Sequence, residues 1–126
     1  MRLPKREKRM EQRSVFLLEC SGKYALIKRE NKGLLSGLWQ LPNEELVFDA
    51  PQDALEYLQV EGFKPKQLVR TMDRVHIFTH IRWDMTCYHV LCDSMHDAYV
   101  WVSAEDIRKQ YALPTAFRMF TEDLDK

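Results

Sequence analysis

The chain's 126 residues predict an α+β fold, a mixed β-sheet sandwiched between helices. Three observations carry that prediction. Short apolar runs bounded by turn residues recur along the chain, as strands do. Two other stretches, after Asp49 and after Ser103, carry helix-start signals instead. Read in order, the chain gives two strands, a loop, a short strand, a helix, several strands and two closing helices.

Residues 1–13 (MRLPKREKRMEQR) carry Arg2, Lys5, Arg6, Lys8, Arg9 and Arg13 against Glu7 and Glu11. They are too polar to bury and are expected to form a basic tail or linker. The folded domain is expected over 14–126. Val15–Cys20 and Tyr24–Arg29 flank Ser21-Gly22-Lys23, which reads as a β-hairpin. Gly33, Gly37 and Pro42 then mark a loop, in which Leu38–Leu41 is a short strand. Leu34, Leu35, Leu38 and Trp39 are expected to plug the core.

A helix is predicted from Pro51 to Glu61. Asp49 and Pro51 start it, Ala54, Leu55 and Leu58 form its apolar stripe, and Gly62 ends it. Lys66–Met72 reads as a strand and Asp73-Arg74 as a turn. The run that follows, ending at Cys92, reads as one long strand region. Within Ile81–Cys87 the odd positions are apolar, an alternation that buries one face. Tyr99–Val102 is a last strand. Ser103 caps a helix with acids in its first turn, and Pro114 opens a final one whose Ala116, Phe117 and Phe120 face the core.

Net charge is zero, yet the N-terminal stretch is basic and Glu122, Asp123 and Asp125 make the end acidic. Any basic surface is therefore local, and a nucleic-acid partner stays open. The three cysteines, without a CxxC pair or a signal-peptide pattern, point to a reducing intracellular compartment. No apolar run approaches membrane-spanning length.

His76 and His80 bracket Ile77-Phe78-Thr79 within the long strand region. On a regular strand, residues four apart share a face but lie about 13 Å apart. They could then not share a metal ion unless a turn closed the gap, since zinc ligands sit about 2 Å from the metal. Cys87 and Cys92 lack zinc-like pairing and read as core or edge residues. No Ser/His/Asp or Cys/His arrangement supports nucleophilic catalysis. Recognition of something outside the chain is the functional reading that remains.

Three segments in order resemble one family, the adenine DNA glycosylases of the MutY type. Lys32-Gly33-Leu34-Leu35-Ser36-Gly37-Leu38-Trp39-Gln40-Leu41-Pro42 is similar to that family's GLLAGLWEFP loop. His76-Ile77-Phe78-Thr79-His80 is similar to its HxFSH loop. Trp101-Val102 followed by Ala112-Leu113-Pro114-Thr115-Ala116 is similar to its closing W-V…LALPxA segment. The resemblance is to the family's C-terminal domain, and it implies a Nudix-like fold related to the MutT nucleotide hydrolases.

The resemblance implies DNA repair: removal of adenine mispaired with 8-oxoguanine by an upstream catalytic domain that carries a 4Fe-4S cluster. This chain would hold neither the cluster nor a catalytic residue. It would read the 8-oxoguanine in double-stranded DNA, within the cytoplasm of a bacterium and close to its nucleoid. Phe78, Thr79, His80 and His76 are the implied lesion-binding residues, with Thr79 in place of the family's serine. Lys32, Arg74 and Arg82 lead the candidates for DNA-backbone contacts, which also include Lys28, Arg29, Lys66 and Arg70.

A working Nudix hydrolase needs clustered helix glutamates to hold Mg²⁺ on a pyrophosphate. With Gly62 aligned to the last glycine of that family's box, the Arg-Glu pair falls on Leu55 and Glu56, and the paired glutamates fall on Gln59 and Val60. One carboxylate cannot make the cluster, and Glu61 is one position off. A stand-alone divergent hydrolase of oxidised nucleotides and a protein-interaction module on a Nudix fold are the alternatives.

Overall fold

The computed structural model describes residues 9–28, 38–111, 113–122 and 124. Its elements are β1 (Arg9–Cys20), β2 (Lys23–Lys28), β3 (Trp39–Gln40), β4 (Asn43–Glu44), α1 (Pro51–Val60), β5 (Pro65–Ile77), β6 (Ile81–Cys92), β7 (Val100–Ser103), α2 (Ala104–Lys109) and α3 (Thr115–Thr121). The strands form a mixed sheet in the order β3-β2-β1-β6-β5, with β4 pairing with β1 and β7 with β2. β1 runs parallel to β6 from Arg9–Ile81 to Glu19–Leu91, and β5 lies antiparallel on β6's other edge.

The apolar run Val15-Phe16-Leu17-Leu18 is continuous because the sheet is buried on both faces there. Val15 and Leu17 join Trp83, Met85, Cys87, Ile107, Phe117 and Phe120 in a cluster under α2 and α3. Phe16 and Leu18 point the other way, into a cluster with Tyr88 and Val90 under Ala54 and Leu58 of α1. Helices thus cover both faces, as the composition of the strands requires.

The helix ends follow their local chemistry. The Ser103 side chain accepts a hydrogen bond from the Asp106 N–H, and Glu105 and Asp106 occupy the first turn of α2. α1 has Pro51 in its first turn, while Ala50 at its N-cap gives no side-chain bond. Gly62 follows α1 at φ +97°, a backbone conformation that side chains disfavour.

The structure corrects the expected course of the strands at three places. Residues 9–13 are not a solvated tail: they are the first part of β1, with Glu11 buried. Asp73-Arg74 is not a turn, because β5 runs unbroken from Pro65 to Ile77. The long strand region is instead broken at 78–80, where β5 turns into β6. Of the expected plug residues, Leu38 is exposed, against the expectation, because only Trp39 packs against the core under α2 and α3; Leu34 and Leu35 lie outside the described residues, as do Arg29 and Lys32.

Candidate nucleic-acid interface

The β5–β6 hairpin carries the histidine-bracketed segment at its tip. Ile77 pairs with Arg82 across the ladder, and the Phe78 N–H donates to the Ile81 carbonyl at 2.7 Å to close the turn. The His80 carbonyl accepts from the Arg9 N–H at 3.0 Å, which ties the tip to the start of β1. The turn lacks Gly, Pro and Asn, so its apolar and aromatic residues look like more strand in the sequence.

Trp83 is the base on which this tip stands. It is fully buried, and its ring meets Phe78 edge-on at 4.9 Å between centroids. Phe117 packs on it at 5.8 Å, and the Arg13 guanidinium sits 4.5 Å from its ring centroid. Arg13 is held by the Glu11 carboxylate at 2.9 Å and by the Asn43 side-chain oxygen at 2.7 Å. These two partners hold the guanidinium over the ring. His76 packs edge-on against Phe78 at 4.5 Å.

The predicted residues therefore separate by role. Phe78 is half-buried and packs against the core under α2 and α3, while Thr79 and His80 are exposed at the tip. Ile77, Phe78, Thr79, His80 and Ile81 line a hollow of about 420 Å³. His76 is half-buried on β5, opposite Trp83. Among the described residues, no group of three His, Cys, Asp or Glu could hold a metal ion.

Arg74 and Arg82 line a groove of about 550 Å³ along the hairpin, with Val75, Asp84, Tyr88 and residues 46–48 among its other walls. Both arginines are engaged locally. The Arg82 Nε donates to an Asp84 carboxylate oxygen at 2.9 Å, and an Arg74 guanidinium nitrogen to the Asp73 carbonyl at 2.8 Å. Lys66 and Arg70 are exposed farther back along β5, and Lys28 is exposed at the end of β2.

The sequence reading did not foresee Trp83, Arg13 and Glu11 as the support of the tip. The alternation around Trp83 announced its burial but not its partner, because the parallel neighbour comes from a segment read as a tail. It also did not foresee a second cavity, beside α1, lined by Glu44, Tyr57, Glu61 and Tyr99. The spacing of Tyr57 and Glu61, one helical turn, was the available signal.

The chain is thus a mixed sheet between helical layers, with Gly62 one residue past the C-cap end of α1. The NUDIX domain family matches residues 14–123, and the chain belongs to that family. An adenine DNA glycosylase of Arabidopsis thaliana is similar at 35% identity over a 78-residue alignment, covering 51% of this chain and 12% of that protein. The chain therefore spans a small part of that relative's length. The C-terminal domain of mouse MUTYH, solved in complex with human PCNA, superposes with a TM-score of 0.63 at 21% identity, over 89% of this chain and 85% of that one. The MutT protein of Methanosarcina mazei superposes at 0.66 and 22% identity, over 94% and 95%. These superpositions establish the Nudix-like fold. Among the described residues, no helix is long and apolar enough to cross a membrane.

Proposed function

We propose that this chain is the lesion-reading domain of an adenine DNA glycosylase. It holds 8-oxoguanine in the duplex while an upstream domain, which carries the 4Fe-4S cluster, removes the adenine mispaired with it. The carrying observation is the hairpin tip, where Thr79 and His80 are presented to solvent on a turn braced through Phe78 to Trp83. The glycosylase relative and the likeness to the mouse MUTYH domain support the reading.

The chemistry follows from the lesion. Guanine offers a bare N7 acceptor, whereas 8-oxoguanine has a hydrogen at N7 and a carbonyl at position 8. A hydroxyl can accept from the first or donate to the second, because it rotates. Thr79 supplies that hydroxyl. His80 can donate to a phosphate or a base edge. Phe78 offers its outer ring edge to the lesion pair while its inner side stays on Trp83. Arg74, Arg82 and Lys32 add phosphate contacts that position the duplex without reading sequence. His76 holds the Phe78 ring from the side.

In the full-length glycosylase, Thr79→Val should lower the preference for 8-oxoguanine over guanine about tenfold, the cost of one mismatched polar contact. Unchanged selectivity would sink the Thr79 assignment. For the chain itself, fluorescence anisotropy should show salt-dependent affinity that is higher for an 8-oxoguanine:adenine duplex than for guanine:adenine. Equal affinity for both duplexes, together with Mg²⁺-dependent hydrolysis of an oxidised nucleotide, would replace this reading with the hydrolase one.

A further inference from the structure

The second cavity, of about 130 Å³, lies between α1, β4 and the residues leading into β7. It shares no lining residue with the hairpin tip. Four aromatic rings wall it: Phe16, Tyr57, Phe63 and Tyr99. Tyr57 stacks on Phe16 at 5.6 Å with an interplanar angle of 16°, and Tyr99 meets Phe63 at 5.0 Å. Two carboxylates, Glu44 and Glu61, line the same space, and no Lys, Arg or His is among its described lining residues.

The field of those carboxylates reaches the phenols. Tyr57 is pushed up to about 12, first by burial and then by Glu44 and Glu61. Tyr99 is raised by the same causes. Both rings stay neutral and electron-rich at physiological pH. Asn43 offers no competing donor, since its amide nitrogen is bonded to the Gln40 side chain at 3.0 Å and the Leu41 carbonyl at 2.8 Å.

Negative charge at the rim and aromatic rings on the walls are complementary to one chemistry, an organic cation on an apolar stem. Among the described residues, no group of three His, Cys, Asp or Glu that could hold a metal ion is found here or elsewhere. We propose that this cavity binds the guanidinium or ammonium head of an alkyl cation, with the stem lying on the Tyr57 and Tyr99 rings. The position in the fold adds weight. α1 is the helix to which the hydrolase box aligns, and its remaining box carboxylate, Glu56, is outside the cavity lining. The cavity's acidic groups come from β4 and from Glu61, the residue just past α1. This inference does not rest on the lesion-reading assignment.

The test is an amide NMR titration of the whole chain with N-acetyl-arginine methylamide and, separately, with spermidine. Shifts should gather at Glu44, Tyr57, Glu61 and Tyr99 and saturate with a dissociation constant on the order of 1 mM. The double variant Glu44→Gln with Glu61→Gln should weaken binding at least about tenfold, and Tyr57→Leu several-fold, with the rest of the spectrum unchanged. Tighter binding of the arginine probe would mark a partner's side chain as the source, and tighter binding of spermidine a free polyamine. Absence of shifts for both probes, shifts that survive the double variant, or displacement of both probes by millimolar Mg²⁺ would each overturn the proposal.

Discussion

Phe78 and Thr79 are adjacent in sequence and opposite in surroundings. One ring edge is pressed on Trp83, while the neighbouring hydroxyl is out on the tip. The segment itself was legible in the sequence, because a Phe-Thr pair between two histidines is odd in a strand. Its support was not, since it comes from Arg13 and Trp83, seventy positions apart. Buried Cys87 behaves quite differently. Desolvation pushes its thiol up to about 12 from the ordinary 9.0, with the Leu17 backbone, Arg70 and Arg74 offsetting part of the rise. The folded state therefore holds this proton more tightly than the unfolded chain. That stabilisation is complete below about pH 9 and is lost, at roughly 1.4 kcal/mol per pH unit, as pH rises towards the folded value. Urea midpoints measured at about pH 8 and about pH 10.5 should diverge more in the native chain than in Cys87→Ala. An equal alkaline loss in both would show that Cys87 is not responsible.

At the scale of elements, tertiary pairing overrode local propensity twice. Asp73-Arg74 has turn chemistry, yet the Asp73 carboxylate accepts from the Thr86 hydroxyl at 3.0 Å, a cross-strand bond that suits a ladder. At 78–80 the reverse holds, and an apolar, aromatic stretch turns because its ring finds Trp83. The helices were more legible, since Ser103, Pro114 and Gly62 signal through local bonds or backbone preference. Gly62 also carries a packing constraint: a Cβ placed there would lie 2.9 Å from the His96 Nε2. Gly62→Ala should cost about 2 kcal/mol or more, from the left-handed backbone and that clash together. Thermal unfolding checks it. Gly62→Ala combined with His96→Ala should recover the steric share but not the backbone share, and full recovery would mean that the φ angle is not strained by a side chain.

For the whole molecule, the sandwich of helices about a mixed sheet was legible because strand and helix signals were local and well ordered. The course of the first strand was not. A run of charges reads as solvated, but here Glu11 is buried between Arg9 at 3.5 Å and Arg13 at 2.9 Å, so the charges neutralise each other along the ladder. A chain begun at Ser14 would lose the pairing of Arg9–Arg13 with Ile81–Met85 and the cation over Trp83. Its midpoint should fall by about 4 °C for each kcal/mol lost. An unchanged midpoint would show that the outer half of β1 adds nothing to the fold.

The parallel register of β1 and β6 has a mechanical meaning. A pull on the chain ahead of Arg9 loads the ladder from Arg9–Ile81 onward along the strand axis, so its bonds are sheared together rather than peeled one by one. The Arg9 bond to the His80 carbonyl is the first rung to feel that load. Tension applied ahead of Arg9 is thus passed directly to the turn at 78–80, which makes β1 a tether that can tilt the fingertip without unfolding the palm.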